Sequence, residues 1–336
     1  MATTATIQIL DLRHFGAPML RPVLESESEL WMQRLHWDYR ASCRLLMQYL
    51  DNHMLPGYAA LDAGQVAGYT FCVYEQTKAV IGDVFATRVP VSGAPVSGED
   101  APDASAHAVE ETLLTHLFET LLNSPQLDRI ESQLLLHPAG AHSAAFRHAG
   151  FQLFRRLFMV LPLSGHPPSA QADLPAELEL RPWREEDLHP SAGLISLAYA
   201  DHPDSRINDQ YHSIHGSTRF LHNIVRYSGC GVFAAQASHV IVHRFTRELV
   251  GLVLASRVSL QSGHITQLCI HPDHRRQGMA RRLLAAAAAQ FLRMNTQEIS
   301  LTVTEANHDA VTLYRSEGYR TQHTFDAAVW QREGTG

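Results

Sequence analysis

The chain repeats itself, and the repeat limits what it can fold into. Residues 66–73 and 249–256 each read as a strand with an early glycine, Gly68 and Gly251. Further on, each half has a helix with an apolar stripe at 3.6-residue spacing. It runs through Leu113, Leu114, Leu117 and Phe118 in the first half and through Leu283, Leu284, Ala287 and Phe291 in the second. Another strand follows, 129–136 and 299–304, and then a short helix stopped by a glycine and an aromatic residue, Gly150-Phe151 and Gly318-Tyr319. Gly150 and Gly318 are 168 residues apart, as are Phe146 and Tyr314. The pattern predicts two tandem domains of one α+β fold, each a twisted mixed sheet flanked by helices. At 336 residues the chain is long for one domain and comfortable for two. Residues 164–175 are proline-rich and poor in large apolar side chains, so the expected division is a first domain over 1–163, a linker over 164–176 and a second domain over 177–336.

Only the second copy carries recognisable chemistry. From Gln267 to Leu284 the sequence reads as a strand, a turn at Pro272, and a loop whose Gly278 opens a long apolar helix. Glycine lets a ligand approach the backbone, unpaired N–H groups at a helix start point outward, and the helix dipole favours negative charge there. Arg275, Arg276 and Arg281 add positive charge. The pattern Arg275-x-x-Gly278-x-Ala280 after an apolar strand resembles the acyl-coenzyme A loop of the GNAT acyltransferase superfamily. Asn307, Ala310, Leu313-Tyr314 and Gly318-Tyr319 resemble that superfamily's second motif, and the likeness covers about residues 230–330.

The resemblance implies two splayed parallel strands and acetyl-coenzyme A as the acyl donor. By analogy it would be held by the backbone of Leu268, Cys269 and Ile270, by the loop Arg275, Arg276, Gln277, Gly278, Met279, Ala280 and Arg281, and by Asn307 and Tyr314. Tyr314 is then the acid that protonates the departing thiolate, since a phenol is neutral at pH 7. Cys269 reads as a small buried side chain rather than a nucleophile. Gln267 stands where many relatives place a carboxylate, and an amide cannot accept a proton at neutral pH. Glu305, at the end of the neighbouring strand, and His264 are the alternative bases. The acceptor wall falls around residues 199–211, where Asn208 and Tyr211, together with Gln267, are the candidate contacts. Aspartates there suit a cationic amine, while Arg206 suits a carboxylate.

In the first half, the position of the phosphate loop is filled by residues 89–103, a Pro/Ser/Gly segment with acids and no arginine, which reads as a flexible surface loop. Phe146 stands in place of the tyrosine and Ala139 in place of Asn307, so this copy is expected to have lost acyl-coenzyme A binding. Net charge is −7 and no basic tract occurs, which argues against nucleic-acid and anionic-membrane partners. The start has no charged n-region or apolar h-region, and four scattered cysteines form no Cys-x-x-Cys pair, so a cytoplasmic protein is expected. Gly229-Cys-Gly231 is followed by a strand-like run rather than a helix and reads as a turn. His212-x-x-His215 lacks the glutamate of a zincin, and no metal is expected. The expected function is transfer of an acetyl or other short acyl group to the amine of a small polar acceptor, by direct attack in a ternary complex. The alternative is a non-catalytic acyl-coenzyme A binding or sensing module, which Gln267 favours and Tyr314 opposes; the oligomeric state is open.

Overall fold

The computed structural model describes residues 7–87, 104–165, 174–227, 229 and 231–332. The expected surface loop over 89–103 and the centre of the expected linker, 166–173, lie outside the described residues. In chain order the elements begin with β1 (Gln8–Asp11), α1 (Ala17–Leu35), α2 (Arg40–Asp51), β2 (Gly57–Asp62), β3 (Gln65–Glu75) and β4 (Lys78–Ala86). Next come α3 (Ala104–Leu122), β5 (Arg129–Gln133), α4 (Ser143–His148), β6 (Gln152–Pro162), β7 (Leu178–Pro182), α5 (Leu188–Ala198) and α6 (Ile214–Arg226). The remainder is β8 (Val232–Phe233), β9 (His239–His243), β10 (Leu249–Arg257), β11 (Ser262–Ile270), α7 (Met279–Arg293), β12 (Glu298–Thr304), α8 (His308–Ser316) and β13 (Arg320–Gln331).

The chain forms two compact units, and they differ from the sequence halves. The first takes its residues from 1–35, 39–154 and 325–336, the second from 36–38 and 155–324. The cause is strand pairing. Residues 156–162 of β6 run antiparallel to β12, and residues 327–331 of β13 run antiparallel to β5. The last strand of each half therefore serves the other half's sheet, which a division at a polar linker does not foresee.

Among the described residues, one pair of strands in each unit is parallel, β4 with β5 and β11 with β12, and the other pairs described are antiparallel. A parallel pair needs a crossover, and α3 and α7 supply it. Their apolar stripes are buried: Leu113, Leu114, Leu117 and Leu121 in α3, and Leu283, Leu284, Ala287 and Phe291 in α7. Gly251 permits this contact, because a Cβ there would lie 2.6 Å from Ile270 Cδ1 and 3.2 Å from Leu283 Cδ1.

The repeat extends to an irregularity in the ladder. The β3–β4 register shifts between Phe71 and Cys72, leaving Gly82 unpaired, and the β10–β11 register shifts between Leu254 and Ala255, leaving Thr266 unpaired. In both units the parallel pairing stops one residue earlier. It ends at Ile81 with Ser132 in the first unit and at Ile265 with Leu301 in the second. Beyond that point β4 and β11 run on without their parallel neighbour, so each sheet splays open along one strand edge. Aligning the bulges makes Asp83 the counterpart of Gln267, and both side chains bond the next backbone N–H: Val84 N–H donates to Asp83 Oδ1 at 2.8 Å, and Leu268 N–H donates to Gln267 Oε1 at 3.1 Å.

Candidate active site

All of the candidate site lies in the second unit. After β11, a short 3-10 turn over Pro272–His274 leads into exposed residues 275–278. Arg276 and Gly278 both take left-handed backbone conformations, with φ of 63° and 78°. Gly278 is the N-cap of α7, and no side chain caps the helix start. A Cβ at Gly278 would meet nothing within 4 Å, so the loop is open at the helix N-cap. Oriented amides, the positive end of a helix dipole and an open loop form an anion cradle.

The arginines contribute less to that cradle than their number suggests. Arg275 Nη2 donates to the Ala198 carbonyl at 2.8 Å, which ties the loop to the end of α5. Arg281 donates to Ser316 Oγ at 2.9 Å and pairs with Glu317, both at the end of α8. Arg276 is highly exposed, and among the described residues its one ion-pair contact is at 3.6 Å to the equally exposed Asp309, so it is the guanidinium best placed to follow a ligand.

Next to the cradle is the splayed edge of β11. Strand groups alternate in direction. Cys269 is opposite Leu252, and His271 N–H donates to the Val250 carbonyl, so Cys269 and His271 turn toward β10 while Leu268 and Ile270 turn toward the opening. The Cys269 backbone expected at the cofactor edge thus belongs to the ladder, and burial pushes its thiol pKa up, away from nucleophilic use. The Leu268 N–H is held by the Gln267 side chain, and its carbonyl lies 3.5 Å from the Tyr199 hydroxyl. The Ile270 carbonyl lies 3.5 Å from Arg275 Nε.

Tyr314 is on α8, which Asn307 starts as N-cap by accepting the Ala310 N–H at 3.2 Å. The Tyr314 ring is buried against Tyr319 at 5.7 Å, and both belong to the main apolar cluster of this unit. Burial first, and then the Asp204 carboxylate, push its phenol pKa above the ordinary value, with Arg156 pulling the other way. It is therefore a neutral proton donor at physiological pH.

Around the same opening is a polar cluster that sequence reasoning only partly reached. The Tyr199 hydroxyl donates to Gln267 Oε1 at 2.8 Å, and its ring packs on Tyr211 at 4.5 Å and on His202 at 4.8 Å. Asn208 caps a short 3-10 turn by accepting the Gln210 N–H at 3.1 Å, and this turn carries Tyr211. Thr304, the last residue of β12, donates its hydroxyl to Asp204, and Asn307 Nδ2 lies 3.1 Å from His202 Nε2. Arg156 donates to the Thr302 and Thr304 hydroxyls. The sequence offered Asp204 as one of several aspartates, but nothing in its spacing showed which one turns inward. Arg156 was missed because it lies on a strand read as part of the first domain.

The base candidates fare differently. His264 is buried between Trp37 and Phe158, with ring centroids at 5.0 and 6.2 Å, and it sits at the closed, paired part of β11 opposite Ser300. Burial depresses its pKa to about 3, so it is a core histidine, hydrogen-bonded to Ser300 at 2.9 Å, rather than a base. Glu305 is exposed just past β12, with its N–H donating to the Arg155 carbonyl. His212 and His215 are exposed and belong to no metal-like group among the described residues. Gly231 has a positive φ and leads into β8, as a turn requires.

Comparison with known proteins fits this geometry. Residues 208–327 match the family model described as an acetyltransferase (GNAT) domain. No curated protein matches the chain. Among solved structures, a tandem GNAT protein from the clavulanic acid biosynthesis pathway is 13% identical, with a TM-score of 0.58 over 98% of this chain and 100% of that one. A GCN5-related N-acetyltransferase from Sphaerobacter thermophilus is 14% identical, with a TM-score of 0.62 over 98% and 96%. A glucosamine N-acetyltransferase region of a fungal multi-domain β-N-acetylglucosaminidase is 12% identical, with a TM-score of 0.60 over 98% of this chain and 38% of that one. The chain has the tandem GNAT fold, and the GNAT family model matches within its second half.

Proposed function

We propose that the second unit transfers an acetyl group from acetyl-coenzyme A to the amine of a small polar acceptor, by direct attack in a ternary complex. The observation that carries this reading is the uncapped start of α7 at Gly278, which follows a splayed strand edge in the unit that also holds a buried, neutral tyrosine. The pyrophosphate would lie on the N–H groups from Gln277 to Arg281. The pantetheine arm would run along the Leu268 and Ile270 edge, with its thioester near Tyr314. Acyl transfer forms a bond from the amine nitrogen to the acyl carbon and breaks the bond from that carbon to sulfur. The thiolate released takes its proton from Tyr314.

The acceptor would occupy the opening lined by Tyr199, His202, Asp204, Asn208, Tyr211 and Gln267. Asp204 supplies negative charge to a cationic amine, and Gln267 supplies a hydrogen-bonding amide where it cannot itself take the proton. That leaves the amine proton to Glu305 through water, or to Asp204. An acetyl-transfer assay with free-thiol readout, run over amines, amino acids and amino sugars, tests the reading. Thiol release with at least one amine is expected; tight acetyl-coenzyme A binding without turnover on any acceptor would instead mark a binding or sensing module.

A further inference from the structure

The first unit has its own splayed edge on β4, and side chains close it. His137 Nε2–H donates to the Val84 carbonyl at 2.7 Å, and Glu110 Oε1 accepts the Ala86 N–H at 3.1 Å. His142, the residue before α4, donates Nδ1–H to Glu111 Oε1 at 3.0 Å. These three bonds fix which atoms face inward. A carbonyl and a carboxylate can only accept, so in their neutral forms His137 and His142 carry their protons outward and turn bare lone pairs toward each other. His137 Nδ1 and His142 Nε2 are 3.2 Å apart, and Glu110 Oε2 lies 3.3 Å from the latter and 3.8 Å from the former.

Three electron-pair donors meeting at such distances need a cation among them. A tetrahedral zinc ion, with bonds of about 2.0–2.1 Å to nitrogen and oxygen, spaces its ligand atoms about 3.4 Å apart. We propose that Glu110, His137 and His142 bind a divalent transition-metal ion of the zinc type, which staples α3 and the segment between β5 and α4 to the open edge of β4. Each ligand already has the outer partner that such a site requires: a backbone carbonyl for His137, a carboxylate for His142 and a backbone N–H for Glu110. Their side chains are only 14%, 3% and 10% exposed, so the donors are held in place rather than scattered on a surface. The fourth position is left to water. The competing occupant is a proton, carried as a His142 imidazolium that bonds His137 and Glu110.

The test uses the full chain, stripped with a chelator and titrated with Zn²⁺ by calorimetry and with Co²⁺ by visible absorption. One ion per chain is expected, with a dissociation constant on the order of 1 μM or tighter, and cobalt should show the visible bands of a four-coordinate site. Glu110→Gln keeps an acceptor for the Ala86 N–H and offers an N–H to the facing imidazoles, so it should stay folded by circular dichroism while losing about 100-fold or more in affinity. His212→Gln should bind as the unaltered chain does. Failure of the unaltered chain to bind zinc, or equal binding by Glu110→Gln, would assign the cluster to the proton and overturn the proposal.

Discussion

Beyond Ile81 the edge of β4 is met by His137 and Glu110, while beyond Ile265 the edge of β11 is met by Tyr199 and by a loop arginine at 3.5 Å. The bulge, the splay and the position whose side chain bonds the next N–H are the same in both units; what fills the opening is not. In the first unit short bonds from buried side chains consume the edge, and Phe146, counterpart of Tyr314, packs edge-on against Phe118 and Phe151 with no polar atom to offer. In the second the edge contacts are long, and a polar cluster and a neutral phenol surround the gap. One backbone frame thus carries two different linings, set by the side chains that border one strand edge.

The strongest attempt to break this contrast is at Gly278. Gly278→Glu places a carboxylate in front of the helix start and forces a side chain into a left-handed backbone at φ 78°, a conformation costing about 1–2 kcal/mol in itself. Binding of acetyl-coenzyme A should weaken on the order of 100-fold or more, because the added carboxylate repels the pyrophosphate at close range, while the backbone strain falls on the stability of the loop. Calorimetry on the unaltered chain should give one acetyl-coenzyme A per chain, and on the folded variant none. Two sites in the unaltered chain, or one remaining in the variant, would place a working cofactor groove in the first unit.

A smaller and more specific effect is expected at Tyr314. Tyr314→Phe retains the buried ring and its contact with Tyr319 but removes the proton donor. Turnover should fall roughly 100-fold, with cofactor affinity nearly unchanged. Equal kcat with chemistry as the slow step would return the tyrosine to the core, making the two units alike at this position. Asp204→Asn separates acceptor recognition from thiolate protonation. It keeps an acceptor for the Thr304 hydroxyl but removes the charge, so KM for a cationic amine should rise by about 10-fold while acetyl-coenzyme A affinity holds.

Much of this contrast was legible in the residues. The stripes of α3 and α7, the glycine at the start of α7 and the tyrosine before Gly318 sit where periodicity and motif spacing put them, because each is dictated by local geometry. The strand exchange was not legible. Residues 157–161 and 327–329 are continuous buried apolar runs rather than alternating ones, and which neighbour they pair with depends on contacts more than a hundred residues away. Tertiary environment also decided the histidines: His264 differs from a catalytic base only in being enclosed by Trp37 and Phe158, and His137 and His142 stand out only when α3 brings Glu110 beside them.

The last comparison is between Asp83 and Gln267, two residues at one structural position. The Asp83 carboxyl faces the buried Glu27, which also accepts from the Tyr69 hydroxyl at 2.5 Å and from Trp31 Nε1 at 3.2 Å; His137 Nε2 lies 3.9 Å away, and Glu110 adds a further negative charge. Burial first, and then the repulsion from Glu27, push Asp83 well above the ordinary 3.8, and burial raises Glu27 above its ordinary 4.5. An acid whose pKa is raised by folding holds its proton more tightly in the native state. It therefore contributes full stability below its unfolded pKa and loses that contribution as pH climbs through the native value. From about pH 4 upward the pair should cost the first unit stability, while Gln267, which does not titrate, costs the second unit nothing by this route. Asp83→Asn keeps an oxygen for the Val84 N–H and presents an N–H to Glu27, so it should flatten the decline. The gain at pH 8 should be modest, on the order of 2–4 °C in Tm, which corresponds to about 1 kcal/mol in a unit of this size. A thermal-melting series from pH 5 to pH 8 with the same slope in both proteins would show that the two carboxyls share no proton, and would make Asp83 as inert toward pH as its amide counterpart.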